Sequence, residues 1–598
     1  MIFELTHTRV SLRLEDGEPI ELLKDLQSYL SYNDTDRRYE MLQEARGDEI
    51  GVDHTKLSQL EELAYMCSDT WYQNFLCYTI NLIKKEKNNH FNFVRKHPFT
   101  KMEMSNGYKT AISIDYVRRK TIFEPGLLRI VILFMQDHVG QYGLNWGLKV
   151  EDKRVNRIHL TDEPVYEYNG IELREEQREA IDKIRQTLLD YDQYGYLFSR
   201  IMMDLSVNFG KTYTLYILSK NFTDSHGNPA PVIWFYSDRE LLSKAVADYL
   251  ELEPNMGVIA ADKNYVGKYL WARGISKRPS FSIKPFTVAM IQTVHSYLKK
   301  KKLTKEDLSY FLIGLYDECH KGGSPRVKQV LDQFQFSALV GASGSPTSSM
   351  SGQSRYAVTG QFGSIRHQVS FKDTVEIGRS LELEVRRMHN PILVKYPTTE
   401  YNVGQVKKFG VYHSEQRYEL LKYALTTSLE DDRQTLIYGG SMQLKYLKHW
   451  YEKLKDEGFD LDFTSGDDPG RIRKISQFSE RKSEVLMSNR IVGTGIDIST
   501  IGSMIYLVPT DNEIDIIQAP IGRLGRVFRG KGKKIEKGII WDFFDDDSFM
   551  KLDISSLALG ENVEAQFIPG ELTRISQIRS LFYKRQQIPI IDINPLGL

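Results

Sequence analysis

Short apolar runs of strand length recur through residues 171–547, each separated from the next by a segment with helical spacing. A first series comprises residues 200–206 (RIMMDLS), 231–237 (PVIWFYS), 286–292 (FTVAMIQ), 311–317 (FLIGLYD) and 338–344 (ALVGASG). A second comprises residues 434–440 (QTLIYGG), 483–489 (SEVLMSN), 503–509 (SMIYLVP) and 537–544 (KGIIWDFF). Several are apolar almost without interruption, as strands of a parallel sheet covered on both faces must be. The segments between them, such as residues 239–250 (RELLSKAVADYL), read as helices. Alternating strand and helix predicts an α/β fold, and two series predict two sheets. The break between them is expected near Pro391. Residues 341–354 (GASGSPTSSMSGQS) have the composition of a linker, yet they directly follow a buried strand. Residues 1–170 mix helix and strand signals and carry no phosphate-loop pattern.

Composition narrows the class. At roughly 150 residues per domain, 598 residues make three or four folding units. Lys and Arg together number 79, as do Asp and Glu, so the formal charge is zero and a globally basic coating protein is excluded. Hydrophobic residues at 41% and charged residues at 26% exclude disorder as the main state. Cys67, Cys77 and Cys319 form no CxxC pair, which excludes a disulfide scaffold or a cysteine zinc site and fits a reducing cytosol. No run approaches the ~20 apolar residues of a membrane helix. The N-terminus, MIFELTHTRV, lacks a secretory pattern. A soluble cytoplasmic protein (in the host cytoplasm if viral), with no membrane partner, is expected. Charge is nevertheless uneven: residues 84–120 hold ten Lys and Arg against Glu86, Glu103 and Asp115.

Three segments carry chemistry. Residues 205–212, LSVNFGKT, follow a strand and open a helix. A phosphate-binding loop needs that context, with backbone N–H groups and a helix N-terminus aimed at the anion. Lys211 would reach the β- and γ-phosphates and the Thr212 hydroxyl would ligate Mg²⁺. The first glycine of the usual GxxxxGK[ST] pattern is Leu205 here, and a GKT alone fits an ordinary turn equally well. Residues 316–320, YDECH, end another strand. Asp317 would hold Mg²⁺ and Glu318 would orient and deprotonate a water; the bland alternative is a solvated acidic strand end. In residues 518–526, QAPIGRLGR, Arg523 and Arg526 lie one helical turn apart. They offer fixed positive charge to a γ-phosphate, although a lone GRxxR is more often a basic surface helix.

Taken together and in this order, the segments resemble the superfamily 2 helicases with a DECH box. Further stretches match in sequence. Residues 173–177 (LREEQ) look like the adenine-reading Q motif, 237–241 (SDREL) like motif Ia, and 290–293 (MIQT) like the strand-binding motif that follows. Residues 343–346 (SGSP) are similar to the coupling motif, 436–441 (LIYGGS) to motif IV and 492–497 (VGTGID) to motif V. Within the superfamily the chain looks most like phage UvsW-type branched-DNA helicases, with RecG-like and restriction-type translocases next. Asn208 and Leu205 depart from the loop pattern, and Gln518 stands four residues before Gly522 where the family more often has three.

The resemblance implies two tandem RecA-like parallel-sheet domains behind a mixed α+β accessory domain. The expected limits are 1–170 for the accessory domain, 171–390 and 391–548 for the lobes, and 549–598 for a C-terminal extension. ATP would lie between the lobes, with Leu173, Arg174, Gln177, Ser206, Val207, Asn208, Phe209, Gly210, Lys211 and Thr212 from the first. Gly495 and Asp497 join from the second, and Lys211, Asp317, Glu318, Arg523 and Arg526 carry hydrolysis. His320, Ser343, Ser345 and Gln518 would couple nucleotide state to movement. Thr293, Thr494 and Gly495 would grip a strand, mainly by phosphate. The activity implied is an ATP- and Mg²⁺-dependent DNA helicase or translocase for branched or forked DNA, acting as a monomer. An RNA helicase, a non-unwinding duplex translocase and an ATP-gated clamp remain open. Arg118, Arg119 and Lys120 are candidates for duplex binding, or equally a basic structural surface. Residues 299–302 (KKKK) read as a solvated face, and no aromatic residue is assigned to base stacking.

Overall fold

The computed structural model describes the chain outside residues 34–107, 190–198, 345–351, 393–405, 490–497, 511–515, 525–534 and 548–570, and outside shorter stretches of one to four residues. Its architecture is two tandem α/β lobes, each on a parallel sheet, behind a mixed α/β N-terminal region.

The first sheet has seven strands in the order Gly257–Ile259, Phe286–Met290, Val232–Tyr236, Ile313–Asp317, Ala338–Ser343, Arg200–Leu205, Ile365–Val369. All six pairings are parallel. Two apolar clusters cover its faces, one including Trp234 and Leu215, the other Phe235, Phe336 and Phe362. The near-continuous apolar runs are thus explained: each residue meets a helix on one side or the other. The strands' C-terminal ends align, so Leu205, Tyr236, Met290, Asp317 and Ser343 deliver their following loops to one edge, where open α/β sheets bind ligands.

The second sheet also has seven strands, in the order Asp462–Thr464, Val485–Asn489, Thr435–Gly440, Ser503–Tyr506, Lys537–Asp546, Glu382–Pro391, Ile590–Ile593. Its membership corrects two expected boundaries. Glu382–Pro391 belongs to the second lobe, not the first, pairing in parallel with Lys537–Asp546 along all ten residues. Its sequence, ELEVRRMHNP, interleaves charge with apolar residues and so conceals a central strand. Those charges find partners in place: Glu384 lies 3.4 Å from Lys537, and Arg386 sits 5.1 Å from the Trp541 ring centroid. The C-terminal residues are likewise integral to the lobe. Helix Glu571–Arg585 packs on the sheet, and Ile590–Ile593 forms its edge strand.

The N-terminal region holds a five-stranded sheet with helices Glu21–Tyr29 and Leu128–His138 over a core that includes Phe3, Leu12 and Val131. It docks on the first lobe through Glu124, which pairs with Lys328 at 2.9 Å, and through Gly126, where a Cβ would strike the carbonyl oxygen of Thr359. The region ends before residue 158: strand Ile158–Leu160 pairs with Phe222–Asp224 of the first lobe, and Glu167–Tyr168 forms a hairpin with Ile171–Glu172. No helix among the described residues is long and apolar enough to cross a membrane.

Candidate nucleotide site and nucleic-acid face

The phosphate loop leaves strand Arg200–Leu205 and enters helix Lys211–Ser219. Leu205 is fully buried as the last strand residue, which accounts for the missing first glycine: the position belongs to the core. Asn208 has φ +69°, a left-handed conformation that asparagine tolerates better than most residues, and its amide donates to Ser380 Oγ at 3.3 Å. Gly210 precedes the helix at φ +93°, and a Cβ there would lie 2.5 Å from Gln177 Nε2. Glycine is therefore required both by conformation and by space.

Residues 173–177 grip this loop. Gln177 is buried and donates to the carbonyls of Phe209 at 3.1 Å and Gly210 at 3.4 Å, while its own carbonyl accepts the Arg174 N–H at 3.1 Å. The Arg174 guanidinium donates to the Phe209 carbonyl at 2.5 Å. The glutamine expected to read adenine thus has its amide engaged by the loop backbone in this arrangement. Leu173 is buried in the core and Val207 lies outside the described residues.

Beside the loop, Asp317 ends its strand and Glu318 turns at φ +55°, ψ +53°. A non-glycine residue there costs of order 1–2 kcal/mol, and such strain clusters at functional positions. The turn brings Glu318 Oε1 to 3.7 Å from Lys211 Nζ. Its other oxygen accepts the Ser343 hydroxyl at 3.2 Å, and Ser343 Oγ lies 2.8 Å from His320 Nδ1. His320 and Ser343 are both buried. Lys211, Glu318, His320 and Ser343 therefore form one connected cluster.

The two carboxylates are driven apart. Burial, together with the neighbouring Glu318 charge, pushes Asp317 up to about 6. Burial also opposes ionisation of Glu318, but Lys211 and His320 outweigh it and hold Glu318 below the usual carboxylate range. A third acid, Asp204, is pushed up to about 7 by burial, against the pull of Lys211 and of the Gln368 amide, which donates to it at 3.0 Å. Acids this short of positive charge suit a divalent cation. Among the described residues no three His, Cys, Asp or Glu cluster well enough to hold an ion by themselves. Asp204 was not expected; its signal was a lone carboxylate inside the apolar run RIMMDLS, seven residues before Lys211.

The second lobe faces this edge. A cavity of about 60 Å³ is lined by Asp204, Ser206 and Gln368 of the first lobe and by Ile521 and Gln586 from beyond it. Ile521 immediately precedes the short helix Gly522–Leu524, which contains Arg523. Arg526, Gln518, Thr494, Gly495, Asp497 and Ser345 lie outside the described residues.

The expected nucleic-acid contacts divide. Thr293 is buried, and its hydroxyl accepts the Ala261 N–H at 3.1 Å, so it shapes the loop before helix Lys263–Ala272. Gln292 donates to the Ser237 carbonyl at 2.9 Å, joining two of the motif segments. Glu240, in the SDREL segment, receives Arg471 of the second lobe at 2.6 Å, and Arg471 also lies 3.3 Å from the Tyr265 hydroxyl, a link between lobes that sequence reading missed. The basic triple is not one solvent-facing patch. Arg119 is half-buried at φ +51° and donates to the Glu18 carbonyl, and Lys120 is half-buried in a strand. Arg118 alone is exposed, with Asp115 at 3.8 Å. Most of the basic stretch 84–120 lies outside the described residues.

A strained acidic strand end beside a phosphate loop, facing a second parallel-sheet lobe, is the arrangement of a two-lobed RecA-type nucleoside-triphosphate-binding protein. The family model for the Type III restriction enzyme res subunit matches residues 170–348, and that for the helicase conserved C-terminal domain matches residues 416–528. The chain belongs to the superfamily 2 helicases. Helicase domains of this kind are nucleic-acid-dependent ATPases. No curated protein matches the sequence. Solved structures similar in fold include Dbp5 of S. cerevisiae bound to RNA and ADP BeF3, at 15% identity and TM-score 0.42 over 71% of this chain and 94% of that one. UvsW of phage T4 is similar at 14% identity and TM-score 0.34 over 99% and 100%. A putative HsdR subunit of a type I restriction enzyme from Vibrio vulnificus is similar at 15% and 0.44 over 63% and 65%.

Proposed function

We propose that the protein is an ATP-dependent DNA helicase or translocase acting on branched or forked DNA in recombination, repair or replication. The observation that carries this is the connected cluster Lys211–Glu318–Ser343–His320, which ties the phosphate loop to the segment following the neighbouring strand. Lys211 binds the β- and γ-phosphates. Thr212 and Asp317 hold Mg²⁺, which when bound screens phosphate charge. Glu318, kept ionised by Lys211 and His320, accepts a proton from the attacking water. Arg523 and Arg526 bring positive charge from the second lobe when the cleft closes. Ser343 touches both Glu318 and His320, so a change at the γ-phosphate is felt at the loop beyond Ser343.

The restriction-type family match over residues 170–348 favours a second reading, duplex translocation without strand separation. One experiment separates these: ATPase rates with single-stranded DNA, duplex, forked DNA and RNA in parallel, plus strand separation on the fork. Preferential stimulation and unwinding by the fork supports the first reading. Stimulation by duplex without unwinding supports the second, stimulation by RNA alone identifies an RNA helicase, and binding without turnover identifies a clamp.

A further inference from the structure

Helix Lys263–Ala272 carries the most exposed large apolar side chain among the described residues, Trp271, at 82% exposure. The helix buries Val266 and Leu270 and presents Asn264, Gly267, Lys268 and Trp271 outward. Gly267 lies one turn before Trp271 on that face, and a Cβ added to it would meet nothing within 4 Å, so the ring is open on the helix side as well. The exposed charges nearest it in the chain are cationic. Lys268, Lys277 and Arg278 are exposed, and among the described residues none has a carboxylate within ion-pair distance. Three acids border the helix: Asp262 caps its start through the Tyr265 N–H at 2.9 Å and faces Arg239 at 3.4 Å, Glu240 pairs with Arg471 at 2.6 Å, and Asp248 lies near Tyr269. Burying such a ring against an apolar partner would leave these cations stranded. A flat ring amid unpaired cations instead complements a nucleotide, whose base stacks while its phosphates pair.

The helix itself borders the face between the lobes, with Trp271 about a third of a turn around it from Tyr265. Tyr265, on the same helix, lies under the Arg239 guanidinium at 3.9 Å and against Arg471 of the second lobe. Six residues later, about 9 Å along the axis, comes Trp271. We propose that Trp271 is a base-stacking platform for an unpaired stretch of the nucleic acid that crosses the lobes, with Lys268, Lys277 and Arg278 holding its phosphates. This rests on the reading of the protein as a nucleic-acid motor and adds to it a contact outside the helicase motifs.

The test uses the full chain, its W271A and W271Y variants, and two fluorescent oligonucleotides, oligo-dT and the same strand with abasic sites. Anisotropy gives affinity; ATPase titration gives the concentration for half-maximal stimulation and the saturated rate. For parent protein the abasic strand should bind about tenfold more weakly than oligo-dT, the scale of one lost base stack. W271A should lose the same factor on oligo-dT and distinguish the two strands no longer, while W271Y restores most of it. Basal and saturated ATPase should not change. Equal binding of oligo-dT by parent and W271A overturns the proposal, as does an equal loss on both strands. Absence of nucleic-acid stimulation in the parent would instead refute the motor reading, and anisotropy would still decide the role of Trp271.

Discussion

Arg579→Met should unfold the second lobe long before the first. Arg579 lies on helix Glu571–Arg585 with its side chain 1% exposed, paired with Asp542 Oδ2 at 2.8 Å. It also donates to the carbonyls of Val508 and Thr510, both at 3.2 Å, and of Phe543 at 2.5 Å. Methionine fills the space of the aliphatic stem but leaves a buried carboxylate and three carbonyls without their donor. Breaking a buried pair from one side costs about 3–5 kcal/mol, a large share of the roughly 5–15 kcal/mol that holds a domain folded. With a urea slope of about 2–3 kcal/mol per molar, the lobe's midpoint should fall by about 1–2 M. Urea titration of the full chain followed by tryptophan fluorescence reads it, since Trp450 and Trp541 are buried in this lobe and Trp234 reports the first. Combining Arg579→Met with Asp542→Leu removes the stranded charge and should recover more than half of the loss. A midpoint shift below about 0.3 M, or a double variant no better than the single, would refute the claim that this pair pins the C-terminal helix to the sheet.

Four further outcomes are expected. Lys211→Ala should abolish ATP hydrolysis with the fold intact, measured as steady-state turnover beside the circular dichroism spectrum; near-parental turnover would remove the loop assignment. Glu318→Gln should bind ATP and nucleic acid yet turn over at least a hundredfold more slowly, and nucleotide-binding titration beside single-turnover hydrolysis separates the two. Asp204, raised from 3.8 to about 7, favours the folded state below pH 3.8 and loses that contribution as pH rises through 7. Asp204→Asn should therefore flatten the stability–pH curve in that window and add about 2 kcal/mol at pH 8, half the full linkage value because the site is partly solvated; urea midpoints at pH 5 and pH 8 check it. Arg118→Ala should weaken duplex binding with a shallower salt slope and leave ATPase stimulated by single strands unchanged, whereas Arg119→Ala should act through stability, which a thermal melt detects.

The motor lobes were legible because strands buried on both faces carry uninterrupted apolar runs, and because loops such as LSVNFGKT and YDECH follow them directly. Pattern reading failed where a residue's surroundings come from distant chain. Glu382–Pro391 hid as a central strand because its charges are satisfied by Lys537, Trp541 and Asp592. Arg119 looked like part of a surface triple, and only the left-handed turn that points it at Glu18 says otherwise. Thr293, a candidate strand contact, also accepts the Ala261 backbone N–H through its hydroxyl, a role that comes from a residue 32 positions away. Neither the Arg471–Glu240 link nor the Arg579–Asp542 pair leaves any mark on local composition. Trp271 reads as one more core aromatic until its exposure is known.

The placement of Glu382–Pro391 also sets an order of events during synthesis. The first sheet has all its strands once Ile365–Val369 has left the ribosome, and that lobe is free to fold. Glu382–Pro391 emerges next but has no neighbour: Lys537 follows Glu384 by 153 residues, and Asp592 follows Arg387 by 205. At about 5–20 residues per second, the strand waits many seconds with both hydrogen-bonding edges open, a standing invitation to pair with the wrong chain. Glu382, Glu384, Arg386 and Arg387 sit between its apolar residues, the arrangement by which gatekeeper charges keep an unpaired strand soluble. The feature that disguises this strand from a reader of hydrophobicity thus also disguises it from other nascent chains until its partners arrive.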